Sequence, residues 1–67
     1  MHLDTYRLLE DGEETWKGKA YSPEQAEERA FFDESPSSQI KYTLQRWGRV
    51  QVSRENHVLG WVTLYTF

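Results

Sequence analysis

The chain has 67 residues, a formal net charge of -3, 37% apolar and 15% aromatic residues, and no cysteine. That length holds one small domain over residues 1–67, and the aromatic content is too high for a disordered segment. The missing cysteines exclude a disulfide scaffold, a thiolate-bound zinc and a cysteine nucleophile.

The longest stretch free of charge, His57 to Phe67, has 11 residues, against the ~20 that a membrane-spanning helix needs. No basic leader precedes an apolar block. The expectation is a cytoplasmic chain with no membrane partner. Charge is unevenly placed: residues 1–34 carry ten acids and four bases, whereas residues 35–67 carry one acid and four bases. Such a dipolar chain presents opposite fields from two ends.

Leu3 to Leu9 is β-prone and stops at Glu10-Asp11-Gly12. Asp-Gly between two such runs predicts a hairpin, because glycine reaches positive φ without a Cβ clash. Thr15 to Tyr21 is the second strand, with outward Lys17 and Lys19 alternating with Trp16, Gly18 and Ala20. Ser22-Pro23-Glu24-Gln25 then opens a helix, with Ser22 as cap, Pro23 at the first helical position and Gln25 closing a capping box. Glu24, Glu27 and Glu28 form an acidic helix face near the positive end of the dipole. The helix should run from Pro23 to about Phe32, burying Ala26 and Ala30, with one of Phe31 and Phe32 sealing the core.

Asp33 to Ser38 reads as a connecting loop. Beyond it, Gln39–Gln45 alternates as a half-buried strand, Arg46-Trp47-Gly48-Arg49 turns, and Val50 to Ser53 returns. Glu55-Asn56-His57 turns again into Val58–Phe67, which is apolar on both faces. The elements are therefore ββαβββ, an α+β fold with a single five-stranded antiparallel sheet and one helix packed on one face. A strand apolar on both sides belongs in mid-sheet, which favours the order 2-1-5-4-3. The order 2-1-3-4-5 would leave it on an edge.

Catalytic groups are sparse. His2 and His57 have no metal-ligand spacing, and no cofactor is implied. Glu13/Glu14 and Asp33/Glu34 are solvated pairs by position, and Ser22 is a cap rather than a nucleophile. The four glycines are isolated, so no phosphate-cradling loop exists. The expectation is a chain that is not an enzyme.

A binding surface is the better reading. If Ile40, Tyr42, Leu44, Val50, Val52, Val62 and Leu64 face the helix, alternation sends Lys41, Thr43, Gln45, Arg49, Gln51, Trp61 and Tyr65 to the other side. The reverse assignment, with Trp61 and Tyr65 in the core, stays open. Trp47 sits at a predicted turn between Arg46 and Arg49, where an indole either folds back or docks into a partner. The candidate binding residues are Lys41, Arg46, Trp47, Arg49, Trp61 and Tyr65, beside the acidic face of Glu24, Glu27 and Glu28.

The hairpin, the S-x-x-Q-A helix start (Ser22, Gln25, Ala26) and the Trp- and Tyr-rich meander give a layout that resembles small phage-encoded anti-CRISPR proteins, in particular type I-F inhibitors of nearly this length. The resemblance implies a non-catalytic inhibitor that binds a CRISPR effector complex in the host cytoplasm and blocks its engagement of target DNA. The helix is acidic here (Glu24, Glu27, Glu28) where that of the type I-F inhibitor it resembles is basic, so no helix contact carries over. The expected partner is a protein or ribonucleoprotein complex. The alternatives are a single-stranded nucleic-acid-binding module using the basic and aromatic sheet face, and a module that dimerises through an exposed strand edge.

Overall fold

In the computed structural model, residues 2–32 and 35–67 are described; the loop expected over Asp33 to Ser38, and the acidic pair Asp33/Glu34, lie partly or wholly outside them. Strands β1 (Asp4–Glu10) and β2 (Glu13–Ala20) form the first hairpin. Its two-residue turn holds both Asp11 (φ 50°) and Gly12 (φ 87°) in the left-handed region, the combination that matches the twist of flanking strands. Asp11 also exchanges bonds with the chain before the third strand: its N–H donates to the Lys41 carbonyl at 2.8 Å, and its Oδ1 accepts from the Lys41 N–H at 3.1 Å.

Helix α1 (Pro23–Ala30) starts as the sequence dictates. The Gln25 N–H donates to Ser22 Oγ at 3.1 Å, and Gln25 Oε1 accepts from the Tyr21 N–H at 2.8 Å. It ends at Ala30, two residues before the expected Phe32. Phe31 serves as the C-cap, and its N–H donates to the Glu27 carbonyl. Phe31 packs against the core, while Phe32 is 85% exposed.

Strands β3 (Tyr42–Gln51) and β4 (His57–Thr66) complete an antiparallel sheet of order β2-β1-β3-β4. Four strands replace the expected five. Arg46-Trp47-Gly48-Arg49 does not turn: Gly48 lies opposite Gly60 in an unbroken ladder from Arg46↔Val62 to Gln51↔His57. The expected second turn, at Glu55-Asn56-His57, is present but spans Val52 to Asn56, where the Val52 N–H donates to the Asn56 carbonyl, and His57 already belongs to β4. The order corrects the expected topology too, because β4 lies on an edge and not in the middle.

The helix covers one end of one face, over β1 and β2. Tyr6, Leu8, Ala20, Ala26, Tyr42 and Leu44 are the buried core, with Trp16, Ala30, Phe31, Ile40 and Leu64 against it. Each fully buried leucine among these contributes roughly 1.5–3 kcal/mol. An aromatic cluster closes the far end: Phe31 meets Tyr42 edge-on at 5.0 Å, and Tyr42 stacks on Phe67 at 5.5 Å. The β3–β4 hairpin extends past both helix and β1, so Val50 is only half-buried and Val52 is 60% exposed, although both were expected beneath the helix. The molecule measures 41 × 28 × 14 Å.

Candidate functional site

The sheet face opposite α1 is uncovered, and its composition follows from period-two alternation. With Tyr6 and Leu8 in the core, β1 turns Thr5, Arg7 and Leu9 outward. Strand β2 likewise presents Lys17 and Lys19, and β3 presents Thr43, Gln45, Trp47, Arg49 and Gln51. Cross-strand partners share a face, so Trp47↔Trp61, Gln45↔Thr63 and Arg49↔Leu59 place Trp61, Thr63 and Leu59 of β4 there as well.

The centre of this face is built from Arg7, Trp47 and Trp61. The Arg7 guanidinium carbon sits 4.3 Å above the Trp61 ring. Its Nε donates to Gln45 Oε1 at 2.6 Å, and its Nη1 lies 3.6 Å from Glu14 Oε1. Gln45 Nε2 in turn donates to Thr63 Oγ1 at 3.0 Å. Trp47 and Trp61 meet edge to face at 5.2 Å, the geometry that the aromatic quadrupole favours. Beside them lies a shallow slot of about 400 Å³ lined by Thr5, Lys17, Trp47 and Trp61.

Charge is divided by face. Among the described residues, Arg7, Lys17, Lys19 and Arg49 stand outward on the strands of the open face against the single acid Glu14. The helix side carries Asp4, Glu10 and Glu13 on the strands and Glu24, Glu27 and Glu28 on α1, against the two bases Arg46 and Arg29, and so is net acidic among the described residues. The separation expected between two halves of the chain thus runs through the thickness of the sheet. A chain of net charge -3 presents one basic surface.

The six candidate binding residues are not all brought together. Trp47, Arg49 and Trp61 share the open face. Lys41 is exposed just before β3, beside Asp11. Arg46 lies directly opposite Tyr6 in the ladder, which puts it on the helix side. Tyr65 is also on the helix side, corrected by a bulge: Leu44 pairs with Tyr65 and Gln45 with Thr63, leaving Leu64 as an extra residue that reverses the alternation. The Tyr65 hydroxyl donates to Glu27 Oε2 on α1. Burial first, and then that hydrogen bond and the Glu27 charge, raise the Tyr65 phenol well above its ordinary value.

Arg7, Lys17 and Lys19 were missing from the candidate set. Their signal is legible in retrospect: once Tyr6, Leu8, Trp16 and Ala20 are assigned to the core, these three bases must share the outer face.

A second hollow of about 320 Å³ lies between the end of α1 and the first hairpin, lined by Leu8, Trp16, Ala30 and Phe31 among others. Its lining also includes one acid and one base, Glu10 and Arg29. Among the described residues, no three His, Asp or Glu side chains stand close enough to hold a metal ion, and no helix is long and apolar enough to cross a membrane. Comparison with known protein families, curated proteins and solved structures finds no match for this chain.

Proposed function

We propose that this chain is a small non-catalytic binding protein that docks on a larger protein or ribonucleoprotein complex through the open face of its sheet. The observation that carries the reading is the concentration of Arg7, Lys17, Lys19 and Arg49 around the Trp47–Trp61 pair, in a chain of net charge -3. Trp and Arg are the residue types that dominate binding hot spots, and a basic rim steers an anionic partner onto them. An inhibitor of a nucleic-acid-guided complex, acting as the phage anti-CRISPR proteins do, is the specific form of this proposal. The test is target-DNA binding by a purified type I-F CRISPR effector complex with and without the chain. Inhibition by the wild type that is lost in a Trp47→Ala, Arg49→Gln variant supports it, and unimpeded DNA binding at saturating chain counts against the anti-CRISPR form.

A second reading, binding of a single nucleic-acid strand, is favoured by the slot itself. A base stacked on Trp47 would place its phosphate within reach of Lys17, the pairing of ring and cation that single-strand platforms use. Titration of a labelled oligonucleotide at low salt separates the two readings.

A further inference from the structure

We propose that two copies of this chain pair along their β4 edges into a continuous eight-stranded antiparallel sheet, with the seam centred on Gly60. Three observations carry this. First, the two edges of the sheet differ. The β2 edge carries Glu13, Glu14, Lys17 and Lys19 and a bulge at Thr15, the devices that keep an edge from pairing. Strand β4 has no Asp, Glu, Lys or Arg along its length, and its bulge at Leu64 lies beyond a regular stretch from His57 to Thr63. A strand without charge meets its own copy without repulsion.

Second, that stretch is complementary to itself. Antiparallel pairing about Gly60 sets Val58 opposite Val62 of the second copy on the helix side, and Leu59 opposite Trp61 of the second copy on the open face. Both are apolar pairs of the kind that stabilises a sheet, and each occurs twice. Val58 and Leu59 are 50% and 66% exposed in the single chain. A two-fold axis normal to the sheet keeps both open faces on one side, which places one Trp47–Trp61 pair on each flank of the seam.

Third, the single chain is too open for its mass. Its accessible surface is 5097 Å², against ~4,450 Å² expected for a folded monomer of this size. Its Cα radius of gyration is 12.8 Å, against ~11 Å for a compact domain of equal length. The excess over two copies is ~1,300 Å², within the range of a specific interface. The pairing also explains why the final strand is apolar on both faces while lying on an edge.

The inference is independent of what the open face binds, and sedimentation equilibrium of the full chain tests it. The wild type should dimerise, and Val58→Lys, on the helix side and away from Trp47 and Arg49, should weaken the dimer about tenfold or more while leaving the monomer folded by circular dichroism. A mixed-isotope sample of the wild type should show intermolecular contacts between Val58 and Val62, a readout that stands even if the lysine variant fails to fold. A wild type that stays monomeric to millimolar concentration overturns the proposal. So does a dimer whose intermolecular contacts lie outside β4.

Discussion

Tyr65 reaches from β4 across the sheet's covered side to donate its phenolic hydrogen bond to Glu27 on α1, joining the edge strand to a helix that packs on β1 and β2. The contact exists because the Leu64 bulge turns Tyr65 away from the face that Trp61 occupies. Burial and Glu27 together raise the Tyr65 phenol well above the ordinary tyrosine range. The folded state therefore holds this proton more tightly than the unfolded chain does. Its contribution to stability is complete below about pH 10 and is lost as pH rises beyond. Tyr6, raised by burial first and by Asp4 next, acts in the same direction. Urea midpoints measured from neutral to strongly alkaline pH should fall above about pH 10, and Tyr65→Phe should fall less steeply. Parallel pH curves for the two proteins would show that the contact is not formed.

Arg7 is the most heavily engaged base on the open face, held by Trp61, Gln45 and Glu14. Because the guanidinium is half-buried, its ring contact and hydrogen bond should together be worth about 1 kcal/mol, the outlying ion pair adding little. Arg7→Ala should lower the unfolding free energy by that amount and alter Trp61 fluorescence. Arg7→Lys should recover less than half, since an ammonium cannot both cover the indole and donate to Gln45. An Arg7→Ala variant with unchanged stability and emission would contradict this arrangement.

Gly18 is fixed by its neighbour on the same face of β2. A Cβ at this position would lie 2.7 Å from Cζ2 of Trp16, so the indole lies over the bare backbone. Gly18→Ala should push Trp16 off the core at a cost of roughly 1–3 kcal/mol, read as a lower urea midpoint with a changed near-ultraviolet signal. Gly12→Ala should also destabilise, through its φ of 87°, but with the near-ultraviolet signal of Trp16 retained.

The parts of the fold that were legible in the sequence are those set by local chemistry. Asp11-Gly12 supplied the positive φ values of the hairpin, and Ser22 to Gln25 supplied the caps of α1. Two errors came from signals that are ambiguous until partners are known. Gly48 beside charged residues resembles a turn, yet opposite Gly60 it is an ordinary strand position, and the one real turn of this region is that expected at Glu55-Asn56-His57, lengthened toward Val52. The Leu64 bulge leaves no mark in a hydrophobic pattern, so alternation carried Tyr65 to the wrong side. The basic face was hidden for a related reason: Lys17 and Lys19 lie in the acidic half of the chain, and only strand pairing unites them with Arg49.

Arg46 and Arg49 offer a matched test of the open face. They lie three residues apart on one strand, and odd spacing puts them on opposite sides of the sheet. The same change, Arg→Gln, therefore alters net charge equally while removing a cation from different surfaces. If the open face holds an anionic partner, Arg49→Gln should weaken binding and make it less sensitive to salt, by about one unit of slope for a lost phosphate contact. Arg46→Gln should leave both nearly unchanged. Trp47→Ala should cost about 1–3 kcal/mol if a base stacks there, with little change in salt slope, because an indole releases no counterions. Equal weakening by the two arginine variants would mean that the partner responds to overall charge, and the open face would lose its claim to be the site. A weakening confined to Arg49 and Trp47 would tie recognition to the surface that alternation, strand pairing and the lone helix leave uncovered.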